Sequence, residues 1–366
     1  MKTIISDEIT IQKPKLLILL VIISLNIFCV GVTLEPDKPA MFRPDSNRLV
    51  EEELSFPLEL LWTYKTGDTV YSTPAVYRDK IIFGSNDGTI YALDMDGKLL
   101  WGHPTGLFVS SSPAVRGGEV YVGSWDKNLY ILDVKNGEEK SKLEIGPVTG
   151  SSPLLSEGTV YIGGGSKIYA IKNSEILWTF ETKGNIISSP AIENGVLYAG
   201  SWDKNIYAIN ASTGGLIWKH EANAFVSSSP ALENGVIYVG SSDKNVYAFK
   251  EGNLLWNFST EGEVYSSPAV EGGTIYIGSF DNNVYALKDG KIVWTFKTGD
   301  KIYSSPLIVK NAVLIGSNDG KVYALDKTNG NEIWSFQTEG EVTSSPTVAD
   351  GRLYIGSKDG RLYAFG

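Results

Sequence analysis

From Leu60 onward the sequence passes through the same four landmarks eight times, with a period of about 38 residues, and this limits the possible folds more than any other feature. Repetition at such a period marks an array of one supersecondary unit, each copy burying its apolar faces against its neighbours. The first landmark is a tryptophan in a short apolar run: Trp62, Trp101, Trp178, Trp218, Trp256, Trp294 and Trp334, with Ser141 standing where the third is due. The second is a Ser/Thr-Pro pair opening an apolar run, at Pro74, Pro113, Pro153, Pro190, Pro230, Pro268, Pro306 and Pro346. The third is an apolar run ending in glycine, at Gly84, Gly123, Gly163, Gly200, Gly240, Gly278, Gly316 and Gly356. The fourth is a tyrosine-centred run, at Tyr91, Tyr130, Tyr169, Tyr207, Tyr247, Tyr285, Tyr323 and Tyr363.

Each unit therefore holds four short β-rich runs, separated by turn signals such as Glu193-Asn194-Gly195 and Asn86-Asp87-Gly88. Four-stranded antiparallel units repeated radially are propeller blades, so the expected fold is all-β: an eight-bladed β-propeller over residues 60–366. The phase of the repeat predicts how the ring closes. It opens on the tryptophan run Leu61–Lys65 and stops three runs after Trp334. If the tryptophan strand is the outermost of each blade, the N-terminal strand supplies the fourth strand of the last blade.

Two segments precede the repeat. Lys13 and Lys15 are followed by Leu16–Leu34, 19 residues without a formal charge, which reads as one N-terminal hydrophobic helix: a membrane anchor or a signal peptide over residues 1–34. The preceding lysines favour a cytoplasmic N-terminus and an exported body. Residues 35–59, with four prolines and the acidic run Glu51-Glu52-Glu53, read as an exposed linker.

The net charge of −10 argues against a nucleic-acid partner, because phosphate binding needs a basic surface. The single cysteine, Cys29, lies in the apolar run, leaving the repeat without a thiol for metal or redox chemistry. His103 and His220, the only histidines, both follow an outer-strand tryptophan by two residues, on the periphery of different blades. No catalytic, cofactor-binding or metal-binding residue is expected.

The residues from Ala324 to Trp334 fit the pattern Ala-x-Asp-x-x-x-Gly-x-x-x-Trp throughout, and Ala208–Trp218 fits with Asn210 in place of Asp. Shorter versions run from Ala92, Ala170, Ala248 and Ala286 to the next tryptophan. The chain thereby resembles the pyrroloquinoline-quinone-repeat propellers with their tryptophan-docking motif. That family includes quinoprotein dehydrogenases, the non-enzymatic barrel-assembly lipoprotein of the outer membrane, and sensor domains. The resemblance implies the fold, and leaves function to the site. Quinoprotein dehydrogenases use a calcium ion, a catalytic Asp and often a pair of adjacent cysteines; this chain has no such pair and lacks their long insertions. The tryptophans read as rivets between blades, with Ser141 marking the weakest seam.

Blade topology brings the loop entering each innermost strand and the turn between second and third strands to one face. That turn carries Asp87, Asp126, Asp203, Asp243, Asp281, Asp319 and Asp359, which predicts an acidic rim or, more simply, residues that make their own turns. Before three of these stand Trp125, Trp202 and Phe280, surplus to the repeat, and Phe108, Phe225, Tyr71, Tyr265 and Tyr303 lie at inner-strand entries. The expected partner-binding rim is therefore Trp125, Trp202, Phe280, Phe108, Phe225, Tyr265, Asp126, Asp203 and Asp281. Exposed aromatics beside carboxylates suit a protein strand or a carbohydrate. The expected function is a monomeric, membrane-anchored, non-catalytic scaffold for other envelope proteins or surface polymer, with no cofactor. A quinone-dependent oxidoreductase and a ligand-sensing ectodomain are the alternatives.

Overall fold

The computed structural model of the protein describes residues 40–41 and 48–366. Asp37–Gly366 is one compact unit; Met1–Pro36 is a second, outside the described residues, so the expected N-terminal helix at Leu16–Leu34 falls there too. No helix among the described residues is long and apolar enough to cross a membrane.

The repeat folds into eight four-stranded antiparallel sheets, the blades of a propeller. In blade 1 the inner strand is Ala75–Tyr77, the second Lys80–Gly84, the third Thr89–Asp94 and the outer Leu99–Pro104. Blade 8 is built from Thr347–Ala349, Arg352–Gly356 and Arg361–Phe365, with Leu60–Lys65 as its outer strand. This is the closure the phase of the repeat predicts: Tyr64 lies opposite Leu362 and Trp62 opposite Ala364, and Glu59 and Gly366 exchange backbone hydrogen bonds.

The landmarks have separate physical causes. Each indole lies across a strand pair from a small residue, as in Ala92↔Trp101, Ala208↔Trp218 and Ala324↔Trp334. It reaches the next blade, where Trp62, Trp101, Trp178 and Trp294 donate Nε1–H to the carbonyls of Met95, Val134, Ala211 and Lys327 at 3.0–3.1 Å. Beneath the indole sits a glycine of that blade: a Cβ on Gly137 or Gly330 would stand 2.6 Å from the ring, and both have positive φ. Trp334 meets the N-terminal segment instead, donating to Leu58. Trp62, Trp101, Trp178 and Trp294 thus each link their own blade to the next. At the Ser141 seam three positions change together, for Ile131 replaces the small partner and Ser174 replaces the glycine.

The glycine closing each second strand answers to packing. A Cβ there would come within 2.2–2.5 Å of a Val or Ile on the loop of the following blade, as Gly84 would with Val109 and Gly278 with Ile302. Interiors at crystal-like density leave no room for that methyl group.

The stretch read as an exposed linker proves partly buried. Leu54 and Leu58 are in the core, and Arg48 is 1% exposed. Leu49 bridges Ile308 in parallel and Ala40 bridges Val115 antiparallel, both on inner strands of opposite parts of the ring. Inner strands have only one sheet neighbour, so their free edges offer unpaired backbone groups to the channel, and the segment satisfies some of them. Arg48 Nε donates to Pro306 O at 2.6 Å, and its Nη2 to Ser305 O and Pro346 O at 3.4 Å. Composition suggests a linker here because proline and acid dominate; the few apolar residues that dock carry no repeat to betray their partners.

Candidate partner-binding face and axial cavity

Loops feeding the inner strands and turns between second and third strands do emerge on one face, here called the upper face. Together they line a cavity of about 450 Å³ on the propeller axis. Such a volume falls within the ~300–1,000 Å³ of small-molecule sites.

The lower wall is a ring of hydroxyls. The residue before each landmark proline is Thr73, Ser112, Ser152, Ser189, Ser229, Ser267, Ser305 or Ser345, and all eight line the cavity. The ring is wired across the blades: the backbone N–H of Thr73 donates to Ser112 Oγ, that of Ser112 to Ser152 Oγ, and so on to Ser345 Oγ, at 2.9–3.0 Å. The serine one place earlier works inside its own blade, as Ser228 Oγ accepts from Gly240 N–H at 3.0 Å and Ser304 Oγ from Gly316 N–H at 3.1 Å. Sequence reasoning took Ser-Pro only as a strand opener; the recurrence of a hydroxyl at this position in every cycle is the signal it missed.

Above the hydroxyls the wall varies. The third residue before each proline is Tyr71, Ser110, Gly150, Ile187, Ser227, Tyr265, Tyr303 or Thr343. Of the aromatics expected at the rim, Phe108, Trp125 and Tyr265 line the cavity, together with Tyr71 and Tyr303. Phe108 meets Trp125 edge-on with centroids 5.5 Å apart, and Tyr265 stacks on Tyr303 at 5.5 Å and 14°. Phe280 leans on both tyrosines, at 4.8 and 5.9 Å, with Lys301 Nζ 5.4 Å above its ring. Trp202 and Phe225 form a separate stacked pair, 5.3 Å apart, on the same face. Both extra indoles are held by their polar edge: Trp125 Nε1–H donates to Ser110 Oγ at 2.8 Å and Trp202 Nε1–H to Ser227 Oγ at 2.9 Å. Phe108, Trp125, Trp202, Phe225 and Tyr303 each keep more than a third of their surface open.

The aspartates behave otherwise than an acidic rim requires. Asp126 Oδ2 accepts from Gly106 N–H at 2.7 Å and Tyr130 Oη at 2.6 Å, and its Oδ1 accepts from Asn128 N–H at 3.0 Å. Asp203 repeats this with Lys183 N–H, Tyr207 and Asn205 N–H, and Asp281 with Glu261 N–H, Tyr285 and Asn283 N–H. The carboxylates expected to meet a partner are therefore clasps, each tying the entry loop of its blade to the turn and the third strand. Burial pushes the Asp126 and Asp203 carboxyls up, but the hydrogen bonds from tyrosine, asparagine and backbone outweigh it and hold both below the ordinary value. The tyrosines shift the other way: burial, then the Asp87 carboxylate, pushes Tyr91 up to about 12.

Among the described residues one charged side chain, Lys358, lines the cavity. It pairs with Glu341 at 2.6 Å and lies 5.8 Å from the Tyr71 ring centroid. Asn86 Oδ1, Asn318 Oδ1 and Thr343 Oγ1, on lining residues, are enclosed and meet no hydrogen-bond partner. Among the described residues no group of His, Cys, Asp and Glu could hold a metal ion. His103 and His220 sit on the outer strands of blades 1 and 4, well apart, as expected.

Fold and cavity together define the class: an eight-bladed propeller built on pyrroloquinoline-quinone-type repeats. Residues 109–366 match the family described as the β-propeller of beta-alanine-activating enzyme, and the chain belongs to that family. Similar solved structures include BamB from Moraxella catarrhalis, with 19% identity and a TM-score of 0.71 over 84% of this chain and 97% of that one. Quinohemoprotein alcohol dehydrogenase from Comamonas testosteroni has 15% identity and a TM-score of 0.78, over 90% of this chain and 80% of that one. The computationally designed Ika8 protein has 18% identity and a TM-score of 0.75, over 84% of this chain and 99% of that one. At such identities the likeness is one of fold. No curated protein matches the sequence.

Proposed function

We propose that the protein is a non-catalytic binding scaffold, held on the outer side of a membrane by Leu16–Leu34, whose upper face takes up an envelope protein or a surface polymer. The observation that carries this reading is the set of aromatic rings partly open on that face, with the Trp125 and Trp202 indoles fixed through Nε1, Phe108 and Phe225 packed against them, and more than a third of each of these four side chains exposed. Monomeric proteins seldom leave contiguous aromatic surface open without a use for it, and fixed aromatics make strong contact residues. Their occurrence on some blades only makes them dispensable to the fold.

A quinone cofactor with calcium fits the cavity poorly. The group carries several carboxylates and chelates its metal beside protein carboxylates, so it needs cationic side chains and an acidic ligand set. Among the described residues the lining has a single lysine, already paired with Glu341, and no carboxylate. This supports the scaffold over the oxidoreductase.

The test is affinity capture from the native membrane fraction with the wild-type chain and with Trp125→Ala/Trp202→Ala. Loss of partner by the double variant at an unchanged melting temperature is the expected result. Equal recovery by the two refutes the assignment of this face.

A further inference from the structure

We infer that the axial cavity is a saccharide site receiving the end of a neutral glycan; this rests on the binding role proposed above and names the class of partner. The first argument is shape. Inner strands run from the upper to the lower face, so the chain climbs past Ala40, antiparallel to its partner strand, and descends past Leu49, parallel to its own. Arg48 lies between them, its guanidinium on the carbonyls of Ser305 and Pro306, the residues at the foot of the hydroxyl ring. Glu52 O then accepts from Lys310 N–H and Leu54 O from Asn311 Nδ2, further down the same blade. Among the described residues, Arg48, Glu52 and Leu54 thus follow blade 7 into the lower channel, and a ligand enters the cavity from above. A passing protein strand needs an open groove; a pocket entered from one side suits a chain end.

The second argument is chemistry. The wall offers flat aromatic surface, with Tyr265 stacked on Tyr303 and Phe108 against Trp125, which suits the C–H face of a pyranose ring. Below it lie hydroxyls spaced around the axis, matched to a ligand rich in hydroxyls of its own. The enclosed oxygens without partners make the case specific. Thr343 is 7% exposed, and its Oγ1, like Asn86 Oδ1 and Asn318 Oδ1, meets no donor. Buried polar atoms left unpaired are costly, and hydroxyl donors on a ligand satisfy such acceptors. The third argument is charge. The one lining cation among the described residues is already paired, so an anionic ligand, including a peptide C-terminal carboxylate, gains little from it, and a neutral polyol loses nothing.

The full chain is to be titrated with maltotriose, cellotriose and chitotriose, reading tryptophan fluorescence, in the wild type and in Tyr303→Ala and Thr343→Val. At least one sugar should give a saturable change, weakened about tenfold in Tyr303→Ala, with both variants melting as the wild type does. Thr343→Val keeps the volume and removes the acceptor, so its loss of affinity at unchanged stability separates recognition from packing. No saturable response to any of the three sugars, or equal affinity in the wild type and both variants, overturns the inference. If Trp125→Ala/Trp202→Ala still loses its captured partner, and capture survives periodate but not protease, the binding role stands and the partner is a protein.

Discussion

The seam beside blade 2 allows the rivet reading to be tested by construction. Six tryptophans lie on a glycine of the next blade, four residues before that blade's own tryptophan or its Ser141 equivalent, as Trp101 lies on Gly137 and Trp178 on Gly214. At the remaining internal seam the three positions read Ser141, Ile131 and Ser174, the last at φ +61°. Tryptophan there has no seat: the small strand partner is an isoleucine 3% exposed, and the flat platform carries a Cβ. Ser141→Trp alone should therefore destabilise by the ~1–3 kcal/mol of an overpacked site. Adding Ile131→Ala and Ser174→Gly restores the arrangement found elsewhere, where a Cβ on the glycine would stand only 2.6–3.2 Å from the ring. Docking an indole buries roughly 200 Å² of ring, worth ~5 kcal/mol at 25 cal/mol/Å², and removal of the isoleucine side chain and residual exposure of the indole offset about half of that. The triple variant should thus be more stable than the wild type by about 2–3 kcal/mol and exceed the sum of its single variants by more than that, read as coupling in urea or guanidinium unfolding. A stabilising Ser141→Trp single variant, or a triple variant no better than additivity, would refute the account of why these positions change together.

Other perturbations test neighbouring claims. Trp294→Ala removes an indole 7% exposed and its bond to Lys327 O, and should cost about 4 kcal/mol in denaturant unfolding. Deleting residues 60–66 removes the strand paired with Arg361–Phe365 and should lower the melting temperature sharply; an unchanged melt contradicts closure by that strand. Arg48→Met leaves the Pro306 carbonyl without its donor, costs ~1–3 kcal/mol, and should speed proteolysis between residues 48 and 59. Tyr247→Phe takes a hydrogen bond from Asp243, whose carboxyl is raised by burial but held below the ordinary value by Tyr247, Asn223 and Asn245. A depressed carboxyl adds stability above its unfolded value of ~3.9, and that stability is lost as pH falls through the folded value, so the variant should unfold in acid at a higher pH than the wild type.

The architecture was legible because each landmark recurs with one physical cause. Glycine closes the second strand for lack of space, and tryptophan needs a small residue opposite and a glycine beneath. Ser174 was equally legible: it occupies the glycine position of the motif between Ala170 and Trp178, opposite the one missing tryptophan. The clasps could also have been read, for each of the seven turn aspartates precedes a landmark tyrosine by four residues, as Asp126 precedes Tyr130 and Asp359 precedes Tyr363. That spacing puts each carboxylate within reach of the tyrosine hydroxyl of its own blade, whatever else the rim meets. What could not be read was the course of residues 48–59. Their contacts lie some 250 residues away on blades 7 and 8, and a segment that occurs once has no echo elsewhere to identify its partner.

An eightfold ring also constrains where function can reside. Seven of the eight blades carry a clasp, seven carry a rivet and all eight carry a hydroxyl pair before the proline, so positions recruited for those tasks are held to one or two residue types and surround the axis almost symmetrically. A ligand that is not itself eightfold needs contacts that differ from blade to blade. The third residue before the proline meets that need. Its neighbours two positions on form the uniform hydroxyl ring, while it ranges from Gly150 to Tyr303. The turn residue beside it ranges from Asn86 and Asn318 to Trp125 and Lys358. The aromatic arc through Tyr265, Tyr303 and Tyr71 faces small residues at Gly150 and Thr149, so the cavity has a flat side and a low side. Gly150→Tyr fills the low side of the wall, and Gly150→Ala, which brings the same Cβ to 2.6 Å from Ile187 Cγ2 without the ring, controls for the packing cost. If the asymmetry orients a ligand, Gly150→Tyr binds saccharide more weakly than Gly150→Ala does; equal binding by the two would mean the hydroxyl ring alone suffices.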